Sequence, residues 1–184
     1  MHICGYDVNA RIERYATLLR ALEKTHSMAS PVTAVDLTAY EQSTLRRVLQ
    51  SDIYLMTARR RNYLILRLDS FLVDGAATYD PTVLTIEHVL PQTVDEGSVW
   101  ATQWPNVSER YLWLHRLANL VPLTQRRNSQ AQNYDFERKK KAYFGGKQGV
   151  SSYALTTQVL NTATWTPAVV EQRQTDLLEM LSTK

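Results

Sequence analysis

Apolar residues recur at helical spacing through the first third of the chain. Ile12, Tyr15, Leu18, Leu19 and Leu22 fall three and four residues apart, which predicts a helix with one buried face, ending ahead of Pro31. Thr38 and Glu41 have the spacing of a capping box, so a second helix is expected to start there, with Leu45, Val48 and Leu49 on its apolar side. A third helix is expected from about Ile53 to Leu72, through Met56, Leu64, Leu68 and Phe71. Asp74-Gly75 and the Tyr79-Asp80-Pro81 turn then separate it from a different pattern, the β-prone run Thr82 to Ile86.

Beyond that run the periodicity weakens from Val94 to Trp113, where a loop and a short helix are expected. Leu117 to Thr124 reads as a second strand, kept short because Pro122 has no N–H for a ladder. Tyr134 to Phe144 reads as a basic helix closed by Gly145-Gly146, and Tyr153 to Leu160 as another. Pro167 to Leu181 has the clearest start of all, with Thr166 as cap, Pro167 in the first helical position and Trp165 placed to pack on Val170. The expected fold is α+β and mostly helical, a small two-strand finger lying between N-terminal and C-terminal helices. The expected division is 1–78, helical, and 79–184, the finger with its C-terminal helices.

Composition narrows the chemistry. The single cysteine, Cys4, excludes an internal disulfide framework and any multi-cysteine zinc site, and fits a reducing cytoplasm. No apolar run approaches the roughly 20 residues of a membrane span, and no secretory leader is expected. The net charge of +3 is modest, but it is unevenly placed. Trp113 to Lys147 holds eight basic and two acidic residues, a local +6 that leaves −3 for the rest. A polyanionic partner would meet that segment.

Candidate chemistry sits where the first strand ends. Glu87-His88 sets a carboxylate beside an imidazole, which suits metal-assisted phosphodiester cleavage: a hard cation takes oxygen ligands and a water needs a base. Asn119 and Asn128 follow in order and complete a His…Asn…Asn series of the HNH nuclease type. Alone, each residue has a plainer reading: a strand-end pair for Glu87-His88, a turn for Asn119, a helix cap for Asn128. His115 and Asn133 are further candidates for the site. Arg59-Arg60-Arg61 reads as a solvated helix face, with contact to DNA or a neighbouring domain as its alternative, and the tryptophans read as core.

Taken together, Ile86-Glu87-His88-Val89-Leu90-Pro91-Gln92, Leu117-Ala118-Asn119-Leu120-Val121-Pro122-Leu123-Thr124, Asn128-Ser129 and Asn133-Tyr134-Asp135-Phe136-Glu137-Arg138-Lys139 resemble the C-terminal HNH-like domain of GmrSD-type restriction endonucleases. Trp165 and Arg173 resemble that family's closing helix. The resemblance covers roughly residues 80 to 180. It implies a ββα-metal finger in which His88 is the general base, Glu87 and Asn128 hold one Mg²⁺ or Mn²⁺, and Asn119 fixes the loop and the His88 ring. Arg126, Arg127, Arg138, Lys139, Lys140 and Lys141 would contact phosphates. The implied activity is DNA nicking or cleavage in a bacterial defence against phage or otherwise modified DNA, partnered by an upstream ParB-like nucleotide-hydrolysing sensor domain or subunit. This chain shows no P-loop, so it reads as an effector fragment or a separate nuclease subunit. A glycine is common where Ala118 stands, a change that matters only if the site needs positive φ. A non-catalytic DNA-binding module on the same scaffold and an RNA-cleaving nuclease are the alternatives.

Overall fold

The computed structural model describes residues 1–24, 36–73, 78–80, 84–124, 133–141 and 152–183. Its contacts divide the chain into two compact units, Met1–Leu49 and Gln50–Lys184.

The first unit contains α1 (Val8–Lys24) and α2 (Ala39–Leu49). Asp7 caps α1 through Ala10 N–H (2.8 Å). The expected capping box opens α2: Thr38 Oγ1 accepts from Glu41 N–H (3.2 Å) and Glu41 Oε2 accepts from Thr38 N–H (2.8 Å). Arg14 joins the two helices by an ion pair with Glu41 at 2.6 Å. The buried face expected on α1 is not found. Among the described residues α1 buries no side chain, and Ile12, Tyr15, Leu19 and Leu22 are each at least half exposed. Periodicity identifies which face is apolar; burial also requires an opposing surface, and α2 meets α1 through the Arg14 ion pair.

The second unit holds everything else. A short 3₁₀ turn, Ile53–Leu55, precedes α3 (Ala58–Phe71), so the expected long helix begins five residues late. Tyr54 N–H donates to His115 O (3.0 Å) instead of to a preceding turn, and Met56 is extended. Strand β1 (Leu84–His88) pairs antiparallel with β2 (Leu120–Thr124), Ile86 opposite Pro122 and His88 opposite Leu120. Between them lie α4 (Val99–Gln103) and α5 (Val107–Leu114), capped by the side chains of Ser98 and Asn106. The second strand starts three residues later than expected, because Leu117–Asn119 forms a 3₁₀ turn held by side-chain bonds described below. After β2 come α6 (Phe136–Lys139), α7 (Ala154–Leu160) and α8 (Pro167–Thr183).

The core forms where β1, β2 and the helices meet: Val89, Leu90, Trp100, Trp104, Val121, Leu123, Phe136, Trp165 and Val170 are buried together. Trp100, Trp104 and Trp165 are core, as expected, and Trp113 packs partly buried against them. Their polar N–H groups are satisfied: Trp100 donates to Tyr134 O (2.8 Å), Trp104 to Trp165 O (2.6 Å) and Trp165 to Asn119 Oδ1 (3.2 Å). Buried Asp69 ties α3 to α7 by accepting from Leu155 N–H (2.8 Å) and Tyr79 Oη (2.9 Å). Burial raises its pKa and outweighs those bonds. The protein is therefore mostly helical with one small antiparallel sheet, an α+β fold.

Candidate functional site

Glu87 and His88 close β1 and send their side chains to different partners, as alternation along a strand requires. His88 is buried. Its ring lies 4.1 Å from the Tyr54 ring centre, and Tyr54 in turn stacks on His115 at 5.5 Å. Nε2 of His88 faces Nδ1 of His115 at 3.1 Å, and Nδ1 faces the Gln92 amide nitrogen at 3.4 Å. Burial, then the charges of His115, Lys139 and Arg61, lower its pKa to about 3, so the ring is neutral at physiological pH.

Glu87 points to α6. Its Oε1 pairs with Lys139 Nζ at 3.1 Å, and the same ammonium donates to His88 O at 2.8 Å. Lys139, expected as a phosphate contact, is fully buried and faces inward. Asp135 caps α6 through Arg138 N–H (2.9 Å), and Lys139 lies one turn after buried Phe136, which puts both on the inward face. Burial pushes the Glu87 pKa up and the Lys139 pKa down, each opposed by the charge of the other. Desolvation is the larger effect on both, as for a pair held out of water.

Asn119 is buried and takes part in four hydrogen bonds: Oδ1 accepts from Leu90 N–H (2.7 Å) and Trp165 Nε1–H, while Nδ2 donates to Leu90 O (3.1 Å) and Leu114 O (2.9 Å). Those bonds use the capacity of a carboxamide. They fix the chain immediately after His88, and Asn119 O also accepts from Val89 N–H (2.9 Å). The ring of His88 is instead oriented by Tyr54, His115 and Gln92. Helix α8 supports the same turn from behind. Arg173 donates to Ala118 O (2.5 Å) and Leu155 O (3.3 Å), and Gln174 Oε1 accepts from Ala118 N–H (2.9 Å). Complete burial lowers the Arg173 pKa to about 10. No described non-glycine residue has positive φ, so alanine at 118 is unstrained.

The remaining candidates are spread more widely. Arg138 is exposed and lies over the Tyr134 ring at 3.5 Å, and Lys141 and Asn133 are exposed. Lys140 pairs with Glu137 (2.6 Å) and donates to Thr162 O (3.1 Å). Asn128, Arg126 and Arg127 lie outside the described residues. Among the described residues no group of three or more His, Cys, Asp or Glu side chains is placed to hold a metal ion. The oxygen donor next to His88 in the sequence is the Glu87 carboxylate, which faces α6 and bonds Lys139 through one oxygen.

Three participants were not legible as such in the sequence. Lys139 sits inside a basic run but shares the inward face of Phe136, and that i, i+3 spacing was the available signal. Tyr54 reaches the site from 34 residues before His88 and carries no local signal; Gln92 follows four residues after it.

Residues 39–180 match the family model described as GmrSD restriction endonucleases, C-terminal domain. The chain belongs to that family. The GmrSD C-terminal domain places it among nucleases related to restriction endonucleases, and the match takes in α3 and the Tyr54 segment as well as both strands and the closing helix. Searches of the curated proteins and of the solved structures give no match.

Proposed function

We propose that this GmrSD C-terminal domain is an HNH-type, metal-dependent DNA endonuclease centred on His88. The observation that carries the reading is the buried neutral imidazole at the end of β1, held on both nitrogens by His115 and Gln92. With the Gln92 amide donating to Nδ1, the ring proton is on Nε2 and is given to His115. The lone pair on Nδ1 then faces the longer, weaker contact, where a water can replace Gln92. His88 takes the proton of that water as it attacks phosphorus. A pKa near 3 makes the free ring a weak base; the negative charge of an incoming phosphodiester opposes the nearby cations and strengthens it.

Glu87 and Asn128 would hold Mg²⁺ or Mn²⁺. When bound, the ion supplies Lewis-acid stabilisation of charge building on the phosphate oxygens. Lys139 neutralises Glu87 in the protein interior and holds the His88 carbonyl, so it is a positioning residue in this reading. Asn119 sets the loop, and β1, β2 and α6 are the parts of a ββα-metal finger in the right order. Arg138 and Lys141, with Arg126 and Arg127, are the phosphate contacts. The wider role proposed is the cytoplasmic effector of a defence against phage DNA, directed by a ParB-like sensor.

Supercoiled plasmid in Mg²⁺ is expected to pass to open circle before linear form, since one such centre cuts one strand per event. His88→Ala should slow cleavage on the order of 10²–10⁴-fold, and Asn128→Ala should raise the metal requirement. If both cut as well as the parent, the assignment fails. The Glu87–Lys139 pairing is the observation that favours a non-catalytic DNA-binding module instead; that reading expects salt-sensitive binding and no cleavage in Mg²⁺ or Mn²⁺. Structured RNA in a parallel reaction separates DNA from RNA cleavage.

A further inference from the structure

Arg61 belongs to a run that reads as a solvated surface, yet it is only partly exposed and lies over Tyr54, the ring that contacts His88. Its guanidinium sits 4.6 Å from the Tyr54 ring centre, and Tyr54 contacts both histidines. Nη1 donates to Tyr54 O at 2.8 Å, which anchors the group. That bond leaves the other edge of the fork, Nε with Nη2. Nε is buried and has no hydrogen-bond partner, and Nη2 has none among the described residues. A buried unpaired donor on a cation is unfavourable and calls for an explanation, and a ligand that arrives with the substrate is one.

The Nε–Nη2 edge presents two parallel N–H groups, the arrangement that matches two oxygens of a phosphate. Its position is fixed by the protein. Tyr54 N–H donates to His115 O at 3.0 Å, so the segment carrying the Tyr54 carbonyl is tied to the chain beside His88's ring partner. The charge of Arg61 is already felt at His88.

We propose that Arg61 is a phosphate-binding residue of this site, its guanidinium turning the unpaired Nε–Nη2 edge, whose Nε is closed to water in this structure, to oxygens of the phosphodiester that faces His88. This rests on the nuclease reading above and deepens it: the anion is held from α3, outside the β1–β2 and α6 finger.

The test compares Arg61→Lys, Arg61→Ala and, as a control, Arg59→Ala at the exposed start of the same run. Arg61→Lys keeps the charge over Tyr54 but not the fork, and should lower kcat/KM at least about tenfold; Arg61→Ala should lose on the order of 10²-fold. Added guanidinium should restore part of the Arg61→Ala rate, which a merely structural loss would not allow. In the His88→Ala background, without metal, oligonucleotide binding should weaken on Arg61→Ala, and the salt slope should become shallower by about one. Arg59→Ala should match the parent.

If the parent cuts and folded Arg61 variants cut and bind equally well, the phosphate role is overturned and the nuclease reading stands. If the parent does not cut but binding still depends on Arg61, the nuclease reading falls and the phosphate site stands. Absence of both cleavage and Arg61-dependent binding removes both.

Discussion

Lys139 shows how strongly one side chain can depend on another at this site. Its ammonium is 1% exposed and is shared between the Glu87 carboxylate and the His88 carbonyl. Lys139→Met would leave the carboxylate buried beside no cation, and should destabilise the fold by about 3–5 kcal/mol. Adding Glu87→Gln to Lys139→Met should recover much of that loss, because the uncompensated charge is then gone. Chemical denaturation of the parent, both single variants and the double variant measures the coupling; purely additive losses would contradict the pairing. His88 supplies a second expectation. Its folded pKa of about 3 lies below the unsubstituted value of 6.5, so the unfolded chain binds more protons between those limits. Stability should therefore rise with pH from about 3 to 6.5 and be progressively lost as pH falls through that window. In His88→Phe, denaturation midpoints across the same pH range should show a smaller slope.

Elements in the second unit are joined by side chains that bond backbone. Asn119 links the loop after β1, the end of α5 and the tryptophan before α8. Asn119→Ala would strand several buried partners at about 1–3 kcal/mol each, so a loss above about 3 kcal/mol is expected, with cleavage falling in parallel. Thermal unfolding and plasmid cleavage of the same preparation check both halves of that statement. Sequence patterning captured the elements that carry their own signals: the Thr38–Glu41 box, the β-prone run into Glu87-His88, and Pro167 opening α8. It was less informative where distant contacts decide. The 3₁₀ turn at Leu117–Asn119 takes residues that look like strand because Asn119 bonds Leu114 O and Leu90, and Ala118 is gripped by Gln174 and Arg173. The delayed start of α3 has the same origin in the bonds joining Tyr54 to His115 and Arg61. Lys139 was readable as charge but not as interior, since a run of four basic residues suggests a wet face until helical phase assigns one of them inward.

At the scale of the molecule, the described part of the candidate site lies within the second unit. His88, His115, Tyr54, Glu87, Lys139 and Asn119 all fall between Gln50 and Lys184. A fragment spanning 50–184 is expected to fold and to retain whatever plasmid cleavage the full chain has; a soluble, folded fragment without cleavage would assign the first 49 residues a part in the chemistry. The basic segment from Trp113 to Lys147 is not uniformly available to DNA, because Lys139 is interior and Lys140 is paired with Glu137. Its electrostatic footprint is therefore smaller than a count of charges suggests.

The grip of Arg173 and Gln174 on Ala118 also has a bearing on biosynthesis. Ala118 directly precedes Asn119, and the loop beyond His88 depends on Asn119, so the candidate centre is completed by α8, more than fifty residues later. A ribosome would have to release residues beyond Gln174 before that helix could close the arrangement. Until then a nascent polypeptide carries the potential nuclease residues without the frame that holds them. For an activity directed at nucleic acid, this order of assembly would delay competence until synthesis has passed the closing helix.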